Sequence, residues 1–177
     1  IFAARRTVAP TGSQPEGDAF EKRLVIIGGA YGARSINENI PQALKRLRDP
    51  LVGWQIVHQS GEGQLQKTER LYREAGVDAL VVTFIDEMAP VMFDSDLAVC
   101  RPGGATLSEL ALAGLPAILV PYPRMMEFHM PNAEVFAAAG AATIIDESEP
   151  AASLSNELVS HLEPLLTDDS RRHRMAA

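Results

Sequence analysis

The sequence predicts an α/β fold: a doubly wound parallel sheet of six strands with helices on both faces. Two observations predict it. Short apolar segments alternate with longer amphipathic ones along most of the 177 residues, and the apolar segments contain few polar positions. Strands that are apolar on both faces are typical of parallel sheets, because the helices that connect parallel strands cover both sides.

The first half of the chain shows this alternation clearly. Residues 23–29 (RLVIIGG) are an apolar run that ends in glycines and predicts a buried strand, and residues 54–61 (WQIVHQSG) predict the second strand. Between them, residues 35–49 have helical spacing, with Pro41 at an early or kinked position. Residues 64–76 predict an amphipathic helix that ends at a glycine.

The middle of the chain continues the pattern. Residues 79–85 (ALVVTFI) and 97–104 (LAVCRPGG) predict the third and fourth strands, with a short helix near 86–94 between them. Residues 106–114 (TLSELALAG) predict a helix, because alanine and leucine favour helices and the final glycine ends one.

The last third completes the sheet. Residues 117–123 (AILVPYP) predict the fifth strand, which prolines close, and residues 141–146 predict the sixth. Helices are predicted over residues 132–140 and 153–166. A small basic run follows, which we interpret as the solvated face of a helix: Arg171, Arg172 and Arg174.

Composition and charge exclude several classes of function. The net charge of −7 argues against a broad nucleic-acid-binding surface, so no nucleic-acid partner is expected. The single cysteine, Cys100, excludes an internal disulfide and fits a reducing compartment. No apolar run reaches the roughly 20 residues that a membrane-spanning helix needs, and no signal peptide is visible.

The chain is predicted to hold one folded domain. Residues 1–20 are rich in proline, glycine, serine and threonine and lack periodicity, so we interpret them as the remnant of an interdomain linker. Residues 21–177 form the domain. Because the chain opens on Ile1 and closes on the helix-like segment RRHRMAA, we expect it to be part of a longer protein.

Ligands of doubly wound sheets bind at the carboxyl ends of the strands, where a glycine-rich loop follows the first predicted strand. In GGAYGA (28–33), Gly28, Gly29 and Gly32 allow a tight turn and a close approach of the backbone to a ligand, and a helix start behind them would point free N–H groups at an anion. A simple strand–helix turn explains the loop equally well. Its spacing matches neither the dinucleotide-binding GxGxxG pattern nor a P-loop.

The segment CRPGGATLSE (100–109) is the most informative one. Two adjacent glycines, ending at Gly104, let the backbone approach a ligand, and the amides of Ala105 and Thr106 begin a helix whose positive end suits a diphosphate. Glu109 lies one turn further, where a carboxylate would accept hydrogen bonds from a ribose diol. The alternative is a capping box, with Thr106 near the N-cap and Glu109 three residues later.

Two other loops carry histidines. In HQSGEG (58–63), His58 is a candidate ligand contact or proton carrier, or more simply a loop residue bonded to backbone. In PYPRMMEFHMPNAE (121–134), His129 and Asn132 precede a helix, and this stretch alone indicates no function. Metal-ligand spacings and the Gly-x-Ser-x-Gly elbow do not occur, so neither a metal nor a cofactor is predicted.

Taken in order, these segments resemble the C-terminal half of the family 28 glycosyltransferases. The similarity covers residues 22–177 and rests on GGAYGAR.IN, HQSG, FIDEM, DLAVCRPGGATLSELALAGLPAILVPYP and NAEVFAAAGAA. It implies a GT-B enzyme, which has two Rossmann-like domains with the active site between them. Residues 21–177 would then be the C-terminal nucleotide-sugar-binding domain, and the N-terminal acceptor domain would lie outside this sequence.

By position, the resemblance implies a site for a UDP-sugar donor. The backbone of Ile85 would read the uracil edge, Ala105 and Thr106 would bind the diphosphate, and Glu109 would bind the ribose hydroxyls. The other implied donor-site residues lie in the first loop, beside the helix start and after the fifth strand: Gly29, Ala30, Gly104, His129, Met130 and Asn132.

The resemblance also implies a reaction: inverting, metal-independent transfer of N-acetylglucosamine from UDP-N-acetylglucosamine to a lipid-linked muramoyl-pentapeptide in peptidoglycan synthesis. Helix amides would stabilise the departing UDP. The acceptor site and the general base would lie in the N-terminal half, so no catalytic residue is assigned in this chain, which is expected to be inactive alone. The implied location is cytoplasmic and peripheral at the inner face of the cell membrane.

The sequence departs from the family pattern at three places. Ala30 replaces a serine, and Pro102 and Gly104 replace other small residues. The glutamine that contacts the donor sugar is missing; His129 takes its place in an ungapped match, and Met130 in a match with a deletion. The missing glutamine leaves open a transferase for another UDP-sugar or acceptor. The cut appearance of the chain ends leaves open a nucleotide-sugar-binding module without catalysis.

Overall fold

The computed structural model describes residues 21–147 and 151–176, so the predicted linker over residues 1–20 lies outside the described residues. The described chain forms one six-stranded sheet with the strand order β3-β2-β1-β4-β5-β6, and every pairing is parallel. The strands are β1 (Lys22–Ile27), β2 (Trp54–Gln59), β3 (Leu80–Val82), β4 (Leu97–Cys100), β5 (Ala117–Leu119) and β6 (Ala142–Ile144). The predicted fold class is confirmed.

Helices connect the strands and cover both faces of the sheet. In the described part of the chain the α-helices are α1 (Arg34–Lys45), α2 (Leu65–Ala75), α3 (Met88–Phe93), α4 (Gly104–Ala113), α5 (Met126–Ala138), α6 (Ala151–Thr167) and α7 (Asp169–Met175), and a short 3-10 helix over Pro123–Met125 precedes α5. None of these helices has the length and apolarity needed to cross a bilayer.

The central strand β1 separates two apolar cores, as its period-2 alternation dictates. Leu24 and Ile26 pack on one face with residues of α1, α2 and α6. Val25 and Ile27 pack on the other face with residues of α3, α4 and α5. From Leu24 to Ile27 both faces are buried, so this part of β1 has no solvent side, which accounts for its apolar sequence.

The helix predicted over residues 132–140 begins six residues earlier, at Met126. The sequence prediction was wrong at this boundary because Pro131 reads as a helix breaker. In the structure Pro131 lies inside α5, where it removes only the bond to the carbonyl of Glu127. Glu127 is exposed, so water can satisfy that carbonyl. The predicted loop before the helix, with its histidine and asparagine, is therefore mostly helical.

The interpretation of the basic run as a solvated face is wrong for Arg172. Its side chain is buried, its guanidinium lies 4.8 Å from the centroid of the Trp54 ring, and it pairs with Asp169. The neighbouring Arg171 and Arg174 are exposed, in line with the prediction. A cation over an indole face is favourable, and Arg172 thereby docks α7 against the start of β2.

The loops that follow β1 and β2 contact each other through two glycines. Gly32 and Gly61 both have positive φ, 75° and 85°. A Cβ atom on Gly61 would overlap the backbone of Gly32, and one on Gly32 would overlap the carbonyl of Ser60. These positions therefore need glycine both for their backbone conformation and for the approach of one backbone to the other.

We expect Gly61→Ala to lower the free energy of unfolding by about 3 kcal/mol or more, because left-handed strain adds to a backbone clash. Gly63→Ala is the matched control: Gly63 also has positive φ (71°), but a Cβ atom on it would have no neighbour within 4 Å, so we expect a loss of about 1 kcal/mol. Urea denaturation measures both. Equal losses would contradict the role of the glycine contact.

Candidate functional site

The candidate site lies at the topological switch point of the sheet. The strand order reverses between β1 and β4, which are hydrogen-bonded neighbours. Residues 28–33, after β1, and residues 101–103, after β4, flank the crevice that opens there and lead into α1 and α4. Open α/β sheets bind their ligands in this crevice, outside the carboxyl ends of the strands.

The start of α4 is an open anion-binding position. Gly103 is the N-cap residue, and no side chain caps the helix or places an acid in its first turn. Gly104 and Ala105 are exposed and Thr106 is half-exposed. The first amides of a helix have no partner within it, and its positive end favours an anion.

The capping-box alternative for Thr106 and Glu109 is excluded by the helix boundary. Thr106 is the third helical residue after the Gly103 N-cap, so its hydroxyl is not in the capping position. Glu109 is half-exposed, and among the described residues its carboxylate has no hydrogen bond or ion pair. A free carboxylate therefore follows a free helix start by about one turn.

The loop after β1 supplies the opposite wall of the crevice. Gly29 and Ala30 are both exposed, and the carbonyl of Ala30 accepts a hydrogen bond from the Glu62 amide at 2.9 Å. The helix that follows, α1, has Ala33 as N-cap, again without a side-chain cap or an acid in its first turn. Two uncapped helix starts thus flank the crevice.

Ile85 lies in the loop after β3, and one of its two backbone hydrogen-bonding groups already has a partner. Its N–H donates to Gln59 Oε1 at 2.9 Å, whereas no described group donates to its carbonyl. Gln59 is the last residue of β2 and is almost fully buried. Sequence reasoning assigned no role to Gln59, because its partner lies 26 residues away and meets it only in the fold.

The three predicted residues after β5 all lie in α5. His129 is 8% exposed and its Nδ1 accepts the Tyr122 N–H at 3.0 Å, so its proton is on Nε2. Burial and then the nearby Arg101 charge lower the pKa of His129. Asn132 is exposed and donates to the Pro102 carbonyl at 3.4 Å, and Met130 is half-exposed. His129 is therefore a neutral imidazole with one N–H to offer.

Arg101, to which no role was assigned from the sequence, ties the loops of the site together. Its guanidinium contacts Ser35 Oγ (2.8 Å), the Val120 carbonyl (2.8 Å), the Pro121 carbonyl (3.1 Å), the Glu147 carboxylate and the Tyr122 ring (5.2 Å to the centroid). Several donors in a fixed planar fork allow one arginine to join groups from several loops. In the sequence, the position of Arg101 directly after a predicted buried strand was the feature that could have indicated this role.

The sequence suggested that His58 is a ligand contact or a loop residue bonded to backbone. The structure shows neither. His58 lies in β2, fully buried, and bonds two side chains: its Nδ1 is 2.8 Å from the Tyr72 hydroxyl and its Nε2 is 2.9 Å from Asn37 Oδ1. Asn37 in turn donates to the Ser60 carbonyl at 2.8 Å. The proton therefore sits on Nε2, and Nδ1 accepts from Tyr72.

This hydrogen-bonded chain positions the loop after β2. Each member is satisfied, and no buried side-chain nitrogen or oxygen in residues 21–147 and 151–176 lacks a partner. Burial lowers the pKa of His58 to about 3, so the ring stays neutral. A buried polar network that is fully satisfied rigidifies its surroundings, here the Ser60 carbonyl beside the glycine contact.

The fold and the switch-point site define the Rossmann-like half of a GT-B protein. The chain belongs to glycosyltransferase family 28: residues 23–177 match its C-terminal domain. Over 155 residues it is 41% identical to the UDP-N-acetylglucosamine--N-acetylmuramyl-(pentapeptide) pyrophosphoryl-undecaprenol N-acetylglucosamine transferase of Xylella fastidiosa (strain M12), covering 87% of this chain and 42% of that protein. The equivalent transferase of Chromohalobacter salexigens is 40% identical over 169 residues, which are 90% of this chain and 45% of that protein.

Solved structures agree with the family. Acinetobacter baumannii MurG superposes with a TM-score of 0.73 at 34% identity, covering 90% of this chain and 47% of that one. WaaG, a glycosyltransferase of lipopolysaccharide biosynthesis, has a TM-score of 0.67 at 21% identity over 90% of this chain and 41% of its own, and shares the fold. The chain spans less than half the length of each of these relatives.

We expect His58 to make the protein less stable as the pH falls. Its pKa is about 3 when folded and 6.5 ordinarily, so the unfolded chain binds the extra proton. The contribution of His58 to the free energy of unfolding is fully present above pH 6.5 and is lost as the pH falls towards 3. The loss between pH 7 and pH 5 is about 2 kcal/mol. Urea unfolding at the two pH values should show this loss in the native protein and not in His58→Gln.

A control variant for this titration is His173→Gln, because His173 is exposed on α7. It should keep the native pH dependence. If His58→Gln loses as much stability between the two pH values as the native chain, the buried ring is not the source of the pH dependence.

Proposed function

We propose that this chain is the donor-binding C-terminal domain of an inverting, metal-independent glycosyltransferase, which transfers N-acetylglucosamine from UDP-N-acetylglucosamine to a lipid-linked muramoyl-pentapeptide in peptidoglycan synthesis. One observation carries the proposal: the uncapped start of α4, at the switch point, is followed one turn later by the unpaired carboxylate of Glu109, among the described residues. The names of relatives that are about 40% identical supply the particular reaction.

The diphosphate would lie against the start of α4. The amides of Gly104, Ala105 and Thr106 point along the helix axis towards the crevice, and the Thr106 hydroxyl adds a donor. The absence of an acid from this first turn leaves the positive helix end uncompensated. When the bond to the sugar breaks, negative charge grows on the leaving diphosphate, and fixed amides stabilise it without rearrangement.

The opposite wall would supply weaker phosphate contacts. The backbone amides of Gly29 and Ala30 lie beside a second uncapped helix start, that of α1. Ala30 has no hydroxyl, so this wall acts only through backbone N–H groups and the helix dipole. We therefore assign most of the diphosphate binding to α4.

The sugars of the donor would lie on either side of the diphosphate. The Glu109 carboxylate accepts only, which suits the two hydroxyls of a ribose, and a helical turn separates it from the anion. Near the transferred sugar, the neutral His129 ring offers its Nε2–H and Asn132 its amide, with Met130 as an apolar neighbour. The carbonyl of Ile85 would face the base.

The remaining parts of the reaction would belong to the other domain of the complete protein. We assign the acceptor site and the general base to it, because this chain has no assigned catalytic residue. A UDP-sugar donor and a lipid-linked acceptor meet where the cytoplasm borders the membrane, so we propose peripheral association with the inner face of the cell membrane.

A second candidate is a transferase for another UDP-sugar, which the imidazole of His129 at the place of an amide favours. A site that hydrogen-bonds a sugar hydroxyl discriminates strongly between donors. Calorimetric titration with UDP, UDP-N-acetylglucosamine, UDP-glucose and UDP-galactose separates the candidates. Preference for UDP-N-acetylglucosamine supports the first, preference for another sugar supports the second, and failure to bind any of the four refutes both.

We expect Glu109→Ala to weaken UDP binding about 10- to 100-fold, because a charged acceptor of two hydroxyls is lost. The melting temperature should change little, since the carboxylate has no partner in the described structure. Glu163→Ala, at an exposed position of α6, is the control and should leave UDP binding unchanged. A collapse of the fold in Glu109→Ala would indicate a structural role instead.

We also expect the 177-residue chain to bind UDP without transferring sugar. The reason is that transfer needs a base to remove the proton from the acceptor hydroxyl, and the family resemblance implies that this base lies in the other domain. An assay with UDP-N-acetylglucosamine and the lipid-linked acceptor, scored for the disaccharide product, tests this. Product formation above the rate without protein would show that the domain carries its own catalytic base.

A further inference from the structure

We propose that Gln59 reads the base of the bound nucleotide together with the carbonyl of Ile85, an inference that rests on the proposed function. Gln59 ends β2 at the carboxyl edge of the sheet, and its Oε1 accepts the Ile85 N–H at 2.9 Å. The family resemblance assigned base recognition to the Ile85 backbone alone. The N–H of that backbone is already bonded to Gln59, so among the described residues the Ile85 carbonyl and the Gln59 Nε2 are the groups of this pair that have no partner.

The Ile85 bond fixes the orientation of the Gln59 carboxamide. A backbone N–H can only donate, so the atom that faces it is Oε1, and Nε2 is the other branch of the same carbon. No group in the described chain accepts from Nε2. Since no buried side-chain nitrogen or oxygen there lacks a partner, Nε2 reaches the surface although Gln59 as a whole is only 2% exposed.

The Nε2 donor and the Ile85 carbonyl form a pair of opposite hydrogen-bonding character. Uracil presents an N3–H donor between two carbonyl acceptors, so the Ile85 carbonyl can accept from N3–H while Nε2 donates to an adjacent carbonyl. Cytosine has an acceptor at N3, which would face the acceptor carbonyl of Ile85, and where Nε2 lies beside position 4 it would also meet the amino donor of cytosine. The pair therefore selects uracil over cytosine.

Gln59 is also held in place before the nucleotide arrives. Its backbone is paired on both sides, with Ile27 of β1 and Val82 of β3, and its side chain is clamped by the Ile85 amide. A side chain that is already ordered loses little rotamer freedom on binding, so its hydrogen bond contributes more fully to affinity.

The decisive variant is Gln59→Glu, measured by calorimetry with UDP and with CDP on the full chain. A carboxylate still accepts the Ile85 N–H but has lost the Nε2 donor. We expect the native chain to prefer UDP, and Gln59→Glu to reduce the UDP-to-CDP affinity ratio about 10-fold. The matched control is Gln55→Glu, at the other end of β2, where Gln55 accepts from Arg23 Nε at 2.7 Å; it should keep the native ratio.

A probe on the ligand side keeps the test independent of folding. In 4-thio-UDP and 2-thio-UDP, sulfur replaces one base carbonyl oxygen while N3–H is retained. We expect one of the two to bind the native chain several-fold more weakly than UDP, and this difference to disappear in Gln59→Leu. Melting temperatures show which variants fold.

The outcomes separate this inference from the proposed function. A native chain that does not bind UDP, or does not prefer it to CDP, refutes the uridine site itself, and the role of Gln59 with it. A native preference for UDP that is unchanged in Gln59→Glu overturns only the role of Gln59. Equal binding of UDP and both thio analogues, or tighter UDP binding by Gln59→Leu, also overturns that role, the latter because Gln59 then merely occupies the Ile85 amide.

Discussion

The close contact between the backbones of Gly32 and Gly61 is the constraint on which the site depends. It fixes the loop after β1 against the loop after β2, and no side chain fits between them. The buried chain of Tyr72, His58 and Asn37 holds the Ser60 carbonyl at the same contact. The wall of the crevice is thus set by packing and by hydrogen bonds in the core, and a ligand is not needed to shape it.

Arg101 fixes the other wall of the crevice. It joins the start of α1, the end of β5 and the segment after β6 through one guanidinium. Because its partners come from different elements, it couples the position of the α4 start to the loop that leads into α5. The two walls meet at Ser35, the second residue of α1, so the crevice is one connected structure.

The sequence predicted the parts of this arrangement that local pattern controls. Apolar runs located all six strands, and two adjacent glycines located the start of α4. The sequence did not predict the partners of His58, because Tyr72 and Asn37 lie 14 and 21 residues away and meet it only in the fold. It also did not predict the partners of Arg101, which span up to 66 residues, or the length of α5, since Pro131 concealed a helix that packing enforces.

The uncapped starts of α1 and α4 also affect the stability of the domain. Water serves the exposed first amides of these helices until an anion replaces it. Because the anion binds only the folded crevice, an occupied domain is more stable than an empty one. At a ligand concentration about 100 times the dissociation constant, binding raises the free energy of unfolding by about 2.7 kcal/mol. Resistance to heat and to proteases would therefore follow the supply of the anion that the crevice binds.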